Sequence, residues 1–439
     1  MRKIKTTLLL LILPLAAVSQ IEMSLDDCLG YAAGHAAEIR EAAVESRNKG
    51  TEQTWTLLSF LPSISGNVSA QYSWGRNINP ETNTYNDVTT FNNYYSVSAN
   101  MTVFSGGAKF NAWKKAGVAR RMALSEEQRI MDQKLTSVMD IFVTAVYARE
   151  CVKLAEDKLQ ESRLLLHKTE VLFEKGEKSR PDLAEIEAQV YDNEYQLLRQ
   201  KNEAKMAMAK LKTEMCFPSD SSLSLKYNCS EDIKLYDAAG AEYYALNSPE
   251  IKTAEYNLKI SKLDYKLSKA ALMPSISLFA GISTSYFKNL TDKQYKVQPF
   301  HSQFHNNRGE YFGVSLSIPI FNAQNIRAVK SSRARWHKSQ IGLEDTRRKV
   351  RDAVMQVVAD RDAAVAELIL MEKKVEVQVR AYDFTKKKYT KGMLSTFDLA
   401  ASSEKLLEAR VKLLQARMTL IIKNRLVFLY TEGQWNIKN

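Results

Sequence analysis

Four segments of the chain alternate apolar residues with small polar ones at a period of two. In the first, Ile64, Val68 and Tyr72 alternate with serine, asparagine and glutamine, and the pattern returns three more times. A period of two predicts β-strands whose two faces differ chemically. The predicted strands are residues 64–74, 93–104, 275–287 and 310–321. The polar stretches 75–91 and 288–310 between them are expected to be outer loops.

Between these segments the apolar residues recur every seven positions. Val138, Ala145, Val152 and Leu159 begin one such track, and Leu399 begins another. Sustained heptads predict long helices that pack as coiled coils. The predicted helices are residues 25–60, 108–174, 181–215, roughly 250–273, 325–390 and 397–430.

The chain contains an internal duplication. LPSIS at 61–65 returns as MPSIS at 273–277, and DLA at 182–184 returns at 398–400. Both halves have the order helix, strand pair, long helix, helix, which predicts a pseudo-symmetric protomer. We expect a first repeat at 20–215, a connector at 216–247, a second repeat at 248–430 and a tail at 431–439.

Prolines are expected at the junctions of these elements, because proline cannot donate a backbone hydrogen bond and interrupts helices and central strands. Pro62, Pro274 and Pro319 are therefore expected at strand starts or helix ends.

Each long helix is followed by a similar short turn. Gly176 and Gly392 can adopt a positive φ and end the long helices. Ser179 and Ser395 are each followed three residues later by an aspartate, Asp182 or Asp398, as in a capping box. Helix turns alone explain these residues, although a functional role at the same positions is compatible with that explanation.

The first residues resemble a secretory leader. Arg2, Lys3 and Lys5 precede an apolar stretch at 8–18, and small residues suit cleavage after Ser19. We therefore expect residues 1–19 to be a signal peptide.

The formal net charge is +12, but lysine and arginine alternate with acidic residues along the helices. Such interleaving is typical of solvated helix faces, and we expect no nucleic-acid partner.

No catalytic or cofactor-binding motif is recognisable. His301 and His305 have the spacing of a helical metal pair, but they follow Pro299 in a predicted outer loop and are interpreted as surface histidines. We find no phosphate loop and no nucleophile elbow. The sequence therefore predicts no enzyme, no cofactor and no metal site.

Cys216 and Cys229 are near enough in sequence to form a disulfide, and free thiols are an equal alternative.

The strands have features of membrane strands. They are about as long as the ~9–11 residues that cross a bilayer at a tilt, and their polar face is mostly uncharged, as suits a water-filled lumen. A soluble sheet with one wet face is the alternative. Four strands cannot close a membrane barrel. We therefore expect several chains to build one barrel, and three copies would supply twelve strands.

The chain resembles TolC-like outer-membrane efflux proteins over essentially its whole length after the leader. The segments that carry the resemblance are LPSISGNVSAQYS, SVSANMTVFSGG, FEKGEKSRPDLAEIEAQ, MPSISLFAGIS, GVSLSIPIFN and YTKGMLSTFDLAASSEKL. The resemblance implies a mixed α and β membrane protein of Gram-negative bacteria. Its fold would be a trimeric twelve-stranded outer-membrane β-barrel continued by a periplasmic α-helical coiled-coil tunnel.

The same resemblance implies the function and the partners. The chain would be a passive exit channel for efflux or type I secretion, a homotrimer in outer-membrane lipid. It would work with a periplasmic adaptor and an inner-membrane pump of the RND or ABC type. The alternatives are a structural coiled-coil envelope protein and a periplasmic adaptor without a pore. The residues do not name the cargo.

The resemblance also assigns roles to the two turns. They would form the periplasmic mouth, with Asp398 at the position that contributes a ring of aspartates to the closed entrance. A second family aspartate is replaced here by Ala401, which weakens the expected cation trap. Arg180 and its neighbours Lys178 and Lys391 are candidates for pairing with acidic groups at this gate.

Overall fold

The computed structural model describes residues 21–79, 83–227, 233–291, 298–432 and 435 of the 439-residue chain. The expected signal peptide at 1–19 and Cys229 lie outside the described residues. The chain divides into two compact units. Unit 1 comprises Met1–Val44, Glu126–Ile251 and Thr346–Asn439, and unit 2 comprises Glu45–Ser125 and Lys252–Asp345.

Helices dominate the described chain. They are α1 (Leu25–His35), α2 (Ala37–Leu58), α3 (Ala108–Glu174), α4 (Arg180–Glu214), α5 (Ala241–Asn247), α6 (Pro249–Ala270), α7 (Phe300–Asn306), α8 (Ala323–Thr390) and α9 (Thr396–Glu432). The strands are β1 (Ile21–Met23), β2 (Ser63–Asn79), β3 (Thr84–Ser105), β4 (Leu223–Leu225), β5 (Ser275–Asn289) and β6 (Gly309–Ser317). None of the described helices is both long enough and apolar enough to cross a membrane.

Unit 2 contains an antiparallel sheet with the strand order β2-β3-β5-β6. Its register places Ile64, Ala99, Ala280 and Phe312 side by side in one row. A row on the opposite face, three residues further along β2, is uncharged and has no large apolar side chain. It consists of Asn67, Ser96, Ser283 and Gly309. The alternation in the sequence thus becomes two chemically distinct faces of a single sheet.

Pairing of β2 with β3 continues beyond the predicted ends of both strands. Residues 75–91 were expected to be an outer loop, yet Gly75 pairs with Val88 and Asn79 pairs with Thr84. The predicted strands 64–74 and 93–104 were therefore too short. The physical reason is that ladder hydrogen bonds join backbone groups, so pairing persists where apolar side chains no longer alternate.

The last strand is shorter than predicted. β6 ends at Ser317, not at residue 321, and Ile320 beyond it is 96% exposed. Pro319 has no N–H to donate to a ladder, so pairing ends before it. Pro62 and Pro274 directly precede β2 and β5 as expected. Pro319 instead follows a strand.

The predicted outer loop 288–310 contains the short helix α7. Phe300 and Phe304 on α7 have their ring centroids 6.1 and 5.3 Å from that of Tyr95 on β3. Gln303 accepts the Phe287 N–H and donates to the Phe287 carbonyl, both at 3.0 Å. His301 and His305 both lie on α7. Among the described residues, no group of three side chains that could hold a metal ion occurs.

The core of unit 1 lies among α1, α3, α4 and α9. Leu29, Leu135, Phe142, Leu211 and Leu429 are all almost fully buried there. Sequence patterning predicted one helix over 25–60, but the helix breaks at Ala36, whose backbone is extended at φ −60° and ψ 131°. The break leaves the apolar residues of α1 facing this core, and alanine, a strong helix former, gives no sequence signal for it.

The connector expected at 216–247 is more regular than predicted. Its strand β4 pairs in parallel with β1, and Arg149 on α3 donates from Nη1 to the Leu225 carbonyl at 2.5 Å.

Cys28, Cys151 and Cys216 are free thiols. Burial, followed by the nearby charge of Asp27, raises the pKa of Cys28 to about 12, which makes its thiol unreactive.

Candidate functional site

The two turns that follow α3 and α8 have the same backbone design. Gly176 and Gly392 adopt φ values of +73° and +71°, a region that favours glycine. The Gly176 N–H donates to Phe173 O at 2.9 Å and the Glu177 N–H donates to Leu172 O at 2.9 Å. These are the two bonds of a Schellman ending, which satisfies carbonyls at the end of the helix.

Both following helices begin with reciprocal serine–aspartate caps. Ser179 donates to Asp182 Oδ2 from its backbone N–H at 3.2 Å and from its hydroxyl at 2.7 Å. Ser395 makes the same two bonds to Asp398 at 3.1 and 2.7 Å. In both boxes the serine hydroxyl and then the serine N–H lower the pKa of the aspartate, which stays ionised.

The two turns contact each other within unit 1. Thr396 Oγ1, at the start of α9, donates to Glu185 Oε2 on α4 at 2.7 Å. Lys178 Nζ lies 4.7 Å from the centre of the Tyr389 ring. Tyr389 is buried with Leu399 and with other apolar side chains of α8 and α9. The paired turns therefore form one packed unit, here called the tip, comprising residues 175–182 and 391–398.

The exposed surface of the tip differs between its two turns. Asp398 is exposed and lies beside Phe397, which is 68% exposed, and near Met393, which is 66% exposed. Asp182 is half-buried. Arg180 and Lys391 are exposed, whereas Lys178 lies against the Tyr389 ring. The second turn thus presents a carboxylate flanked by large apolar side chains, a combination suited to recognising another protein.

A polar cluster links the long helices about 15 Å from the tip, taking ~1.5 Å per residue along α8. The Tyr382 hydroxyl on α8 donates to Glu161 Oε1 on α3, and Lys386 Nζ lies 3.1 Å from the same oxygen. Lys158 on α3 donates to the hydroxyl of Ser403 on α9. These side chains border a cavity of about 310 Å³. We call Lys158, Glu161, Tyr382, Lys386 and Ser403 the tip-proximal cluster.

Burial determines the protonation chemistry of this cluster. Desolvation, followed by the hydrogen bond to Glu161, raises the pKa of Tyr382, so its hydroxyl remains a donor at neutral pH. Desolvation lowers the pKa of Lys158, which is only 8% exposed. The cluster is a set of hydrogen bonds and charges that joins α3, α8 and α9, and its members include an ion pair that water can reach.

Sequence reasoning did not identify the tip-proximal cluster. Tyr382 lies on the same heptad track as Val375 and Tyr389, so its pattern predicts an ordinary core position. The available signal was the polar character of Lys158 and Ser403, which are buried on helices whose buried faces are mostly apolar.

Comparisons with known proteins give these elements a family context. Residues 243–429 match the family model described as outer membrane efflux protein. The chain is 21% identical over 318 residues to the alkaline protease secretion protein AprF of Pseudomonas aeruginosa, which covers 70% of this chain and 63% of AprF. It is 21% identical over 348 residues to the pyoverdine export outer membrane protein OpmQ of that organism, which covers 77% of this chain and 69% of OpmQ.

The fold also occurs among solved structures. The outer membrane protein VceC of Vibrio cholerae superimposes with a TM-score of 0.77 at 16% identity, covering 92% of this chain and 95% of VceC. The chain therefore shares the mixed α and β fold of VceC. It spans slightly less than two thirds of the length of AprF.

Proposed function

We propose that the chain is a TolC-like outer membrane efflux protein and forms a passive exit channel across the outer membrane and the periplasm. The match of residues 243–429 to the outer membrane efflux protein model, the similarity to AprF and the fold shared with VceC support this proposal. A periplasmic adaptor and an inner-membrane pump would be its partners, and the pump would supply the energy. AprF and OpmQ are named for protease secretion and pyoverdine export. These names support an export role here without fixing the cargo.

The sheet of unit 2 is the observation that carries this proposal. Its apolar face is exposed on β2 and β6, with Ile64 at 72%, Val68 at 71% and Phe312 at 73%. On β3, α7 covers Tyr95 of the same face. In water such a face is costly to solvate, whereas lipid covers it at no cost. The opposite face carries serine and asparagine, which suit a water-filled lumen.

The edges of this sheet support assembly of several copies, which we propose to be a trimer. Within the described residues β2 and β6 each pair with one neighbour strand only. Unpaired backbone groups are not tolerated in lipid, so β2 of one copy would pair with β6 of the next. Three protomers would close a barrel of twelve strands, and all the strands would then be paired.

The tip is proposed as the periplasmic mouth. Asp398 of three protomers would form an acidic ring, and Phe397 and Met393 beside it would contact the adaptor. The tip-proximal cluster would hold α8 against α3 and so keep the mouth closed. Tyr382 also packs with Tyr389, Leu399 and Leu406, so opening the mouth would separate apolar contacts together with these hydrogen bonds.

The test is the mass of the purified protein in detergent together with its single-channel conductance in a planar bilayer. We expect a trimer with a small, steady conductance, because a closed mouth would limit the current. Deletion of residues 276–320 is the matched variant, since it removes one strand pair and leaves the tip intact. It should not insert into the bilayer.

Two results would contradict the proposal. A monomer or dimer without conductance would exclude the channel and favour a structural coiled-coil envelope protein. Stable insertion of the variant that lacks residues 276–320 would exclude the four-stranded contribution to a barrel.

A further inference from the structure

Four helical segments that adjoin the sheet in unit 2 have an excess of positive charge almost equal to the net charge of the whole chain. In unit 2, residues 45–58, 108–125, 252–270 and 323–345 contain seventeen lysine and arginine residues against six aspartate and glutamate residues. This excess of eleven compares with a formal net charge of +12 for all 439 residues. The segment 108–125 contains five basic residues and no acidic one. The charge is thus concentrated beside the sheet.

Part of this basic band forms a groove between α3 and α6. The groove has a volume of about 490 Å³ and its floor includes Trp113, Val118 and Leu263. Among the described residues, no carboxylate borders the groove. The cationic side chains that border it are Lys114, Arg121, Lys259, Lys262 and Lys266.

An acidic side chain next in sequence to the groove residue Leu263 is paired with a lysine that does not line the groove. Asp264 on α6 accepts a hydrogen bond from Lys115 Nζ at 2.6 Å, so its charge is paired outside the groove lining. Lys259, Lys262 and Lys266 recur on one face of α6 at intervals of three and four residues, and all three are exposed. The groove therefore presents a row of cations over an apolar floor.

Aromatic rings accompany these cations. Lys262 Nζ lies 5.8 Å from the centre of the Trp336 ring, and Tyr265 stacks on that ring with centroids 5.8 Å apart. Lys114 Nζ lies 4.3 Å from the centre of the Phe110 ring. Amphipathic rings beside lysine stems are typical of the membrane–water interface, where the stems cover apolar surface and the ammonium groups reach the headgroups.

The two helices that line the groove are each connected to a strand of the sheet by only a few residues. α3 starts at Ala108, three residues after β3 ends, and α6 ends at Ala270, five residues before β5 starts. At ~1.5 Å per residue, Lys114 and Lys266 lie within about 10 Å of these helix ends. The polar regions of the two leaflets together add about 10–15 Å to a ~30 Å core, so one headgroup layer is about 5–8 Å deep. Lys266 lies within that depth of its helix end and Lys114 lies just beyond it.

We propose that this groove binds the phosphate headgroup of an anionic phospholipid, such as phosphatidylglycerol, from the periplasmic leaflet of the outer membrane. The cations pair with the phosphate, and the apolar floor contacts the glycerol and the first acyl carbons. The inference rests on the proposed function, because it requires the sheet to lie in the outer membrane. Its effect is to fix the height of the protein in the bilayer.

The test uses the full-length protein in mixed micelles that contain equal amounts of phosphatidylglycerol and phosphatidylcholine. Native mass spectrometry counts the lipids that each protein molecule retains. The variant is Lys259→Gln/Lys262→Gln/Lys266→Gln. The control, Lys205→Gln/Lys210→Gln/Lys373→Gln, removes three exposed lysines of unit 1 and the same net charge.

We expect the unmodified protein and the control to retain phosphatidylglycerol over phosphatidylcholine by about fivefold or more, since one lysine near an anionic surface contributes about that factor. The groove variant should lose most of this preference, and 0.5 M salt should reduce it in all three proteins.

Equal retention of both lipids by the unmodified protein, or an undiminished preference in the groove variant, would overturn the inference. Loss of the trimer in the groove variant alone would overturn it too, because the groove would then be a contact between protomers. Conductance in phosphatidylcholine bilayers separates the two proposals. Channels that conduct without a lipid preference leave the proposed function intact, whereas a protein that does not insert contradicts both.

Discussion

The hydroxyl of Tyr382 on α8 donates a hydrogen bond to the carboxylate of Glu161 on α3, across 221 residues of sequence. Lys386, one turn further along α8, reaches the same carboxylate at 3.1 Å. One acceptor therefore holds two donors of the neighbouring helix. Loss of Glu161 would release both, whereas loss of Tyr382 leaves the lysine in place.

Tyr382→Phe should weaken the closed state of the proposed channel. A hydrogen bond to a charged group contributes about 1.5–3 kcal/mol, and part of this is lost when the hydroxyl alone is removed. Because 1.4 kcal/mol corresponds to a factor of ten, we expect the open probability to rise about tenfold. Single-channel recording in a planar bilayer measures it.

Tyr191→Phe is the matched control for this prediction, since Tyr191 on α4 is 71% exposed. It should leave the open probability unchanged. Equal currents from Tyr382→Phe and the unmodified protein would mean that the cluster stabilises the fold without closing the mouth.

The periodic elements could be predicted from the sequence, but the polar links between them could not. α3 runs over Ala108–Glu174, the residues that the heptads indicated, because apolar periodicity is a local property of the chain. Tyr382 and Glu161 meet only through the packing of two long helices. Neither residue carries a local signal for that contact.

Arg361 shows the same limit. It interrupts the heptad track of α8, and the sequence alone does not indicate what this charged residue contacts. In the structure Arg361 is 8% exposed, and its Nη1 donates to the Tyr236 carbonyl at 2.6 Å. The Arg361 side chain therefore binds the connector, which contains Tyr236, to α8. Similarly, the seven residues of α7 are too few for a helical period to be recognised.

The two faces of the sheet predict opposite effects for neighbouring substitutions. Val68 lies on the exposed apolar face and Asn67 on the polar face, in the rows of Tyr95 and Ser96. A lysine on a lipid-facing strand position costs about 2–4 kcal/mol near the bilayer midplane. Val68→Lys should therefore lower the yield of inserted trimer, whereas Asn67→Lys should insert normally and shift the ion selectivity toward anions.

Heat-modifiable migration in detergent gels measures insertion, and the reversal potential in a salt gradient measures selectivity. Each variant serves as the control for the other, since both introduce the same charge at adjacent positions. Normal insertion of Val68→Lys would indicate that this face meets water or protein and not lipid.

Asp132 on α3 predicts a pH dependence of stability. Burial raises the pKa of its carboxyl from 3.8 to about 6, although the Gln128 amide donates to it at 2.8 Å and opposes the shift. A raised folded-state pKa contributes stability that is complete below about pH 4 and is lost as pH rises through about 6. The difference corresponds to up to about 3 kcal/mol.

Asp132→Asn should therefore raise the thermal unfolding temperature at pH 7.5 and change it much less at pH 4. The exposed Asp192→Asn on α4 is the control and should have a small effect at both pH values. A variant that is stabilised equally at both pH values would show that the ionisation of Asp132 is not the cause.

The paired caps of the tip separate a structural role from a role at the mouth. Asp182 and Asp398 make the same cap bonds to Ser179 and Ser395, so replacing either by asparagine disturbs its own cap in the same way. Only Asp398 is exposed. If three copies of Asp398 ring the mouth, Asp398→Asn should weaken block of the channel by periplasmic Mg²⁺ severalfold, and Asp182→Asn should leave it unchanged.

The pH dependence of this block provides a second check. Because Ser395 lowers the pKa of Asp398, the carboxylate remains ionised throughout pH 5–8, and the block by Mg²⁺ should be constant over that range. Circular dichroism of both variants verifies that the helices persist. Equal block in both variants would assign the aspartates to capping alone, and the acidic mouth would then have to be sought elsewhere on the tip.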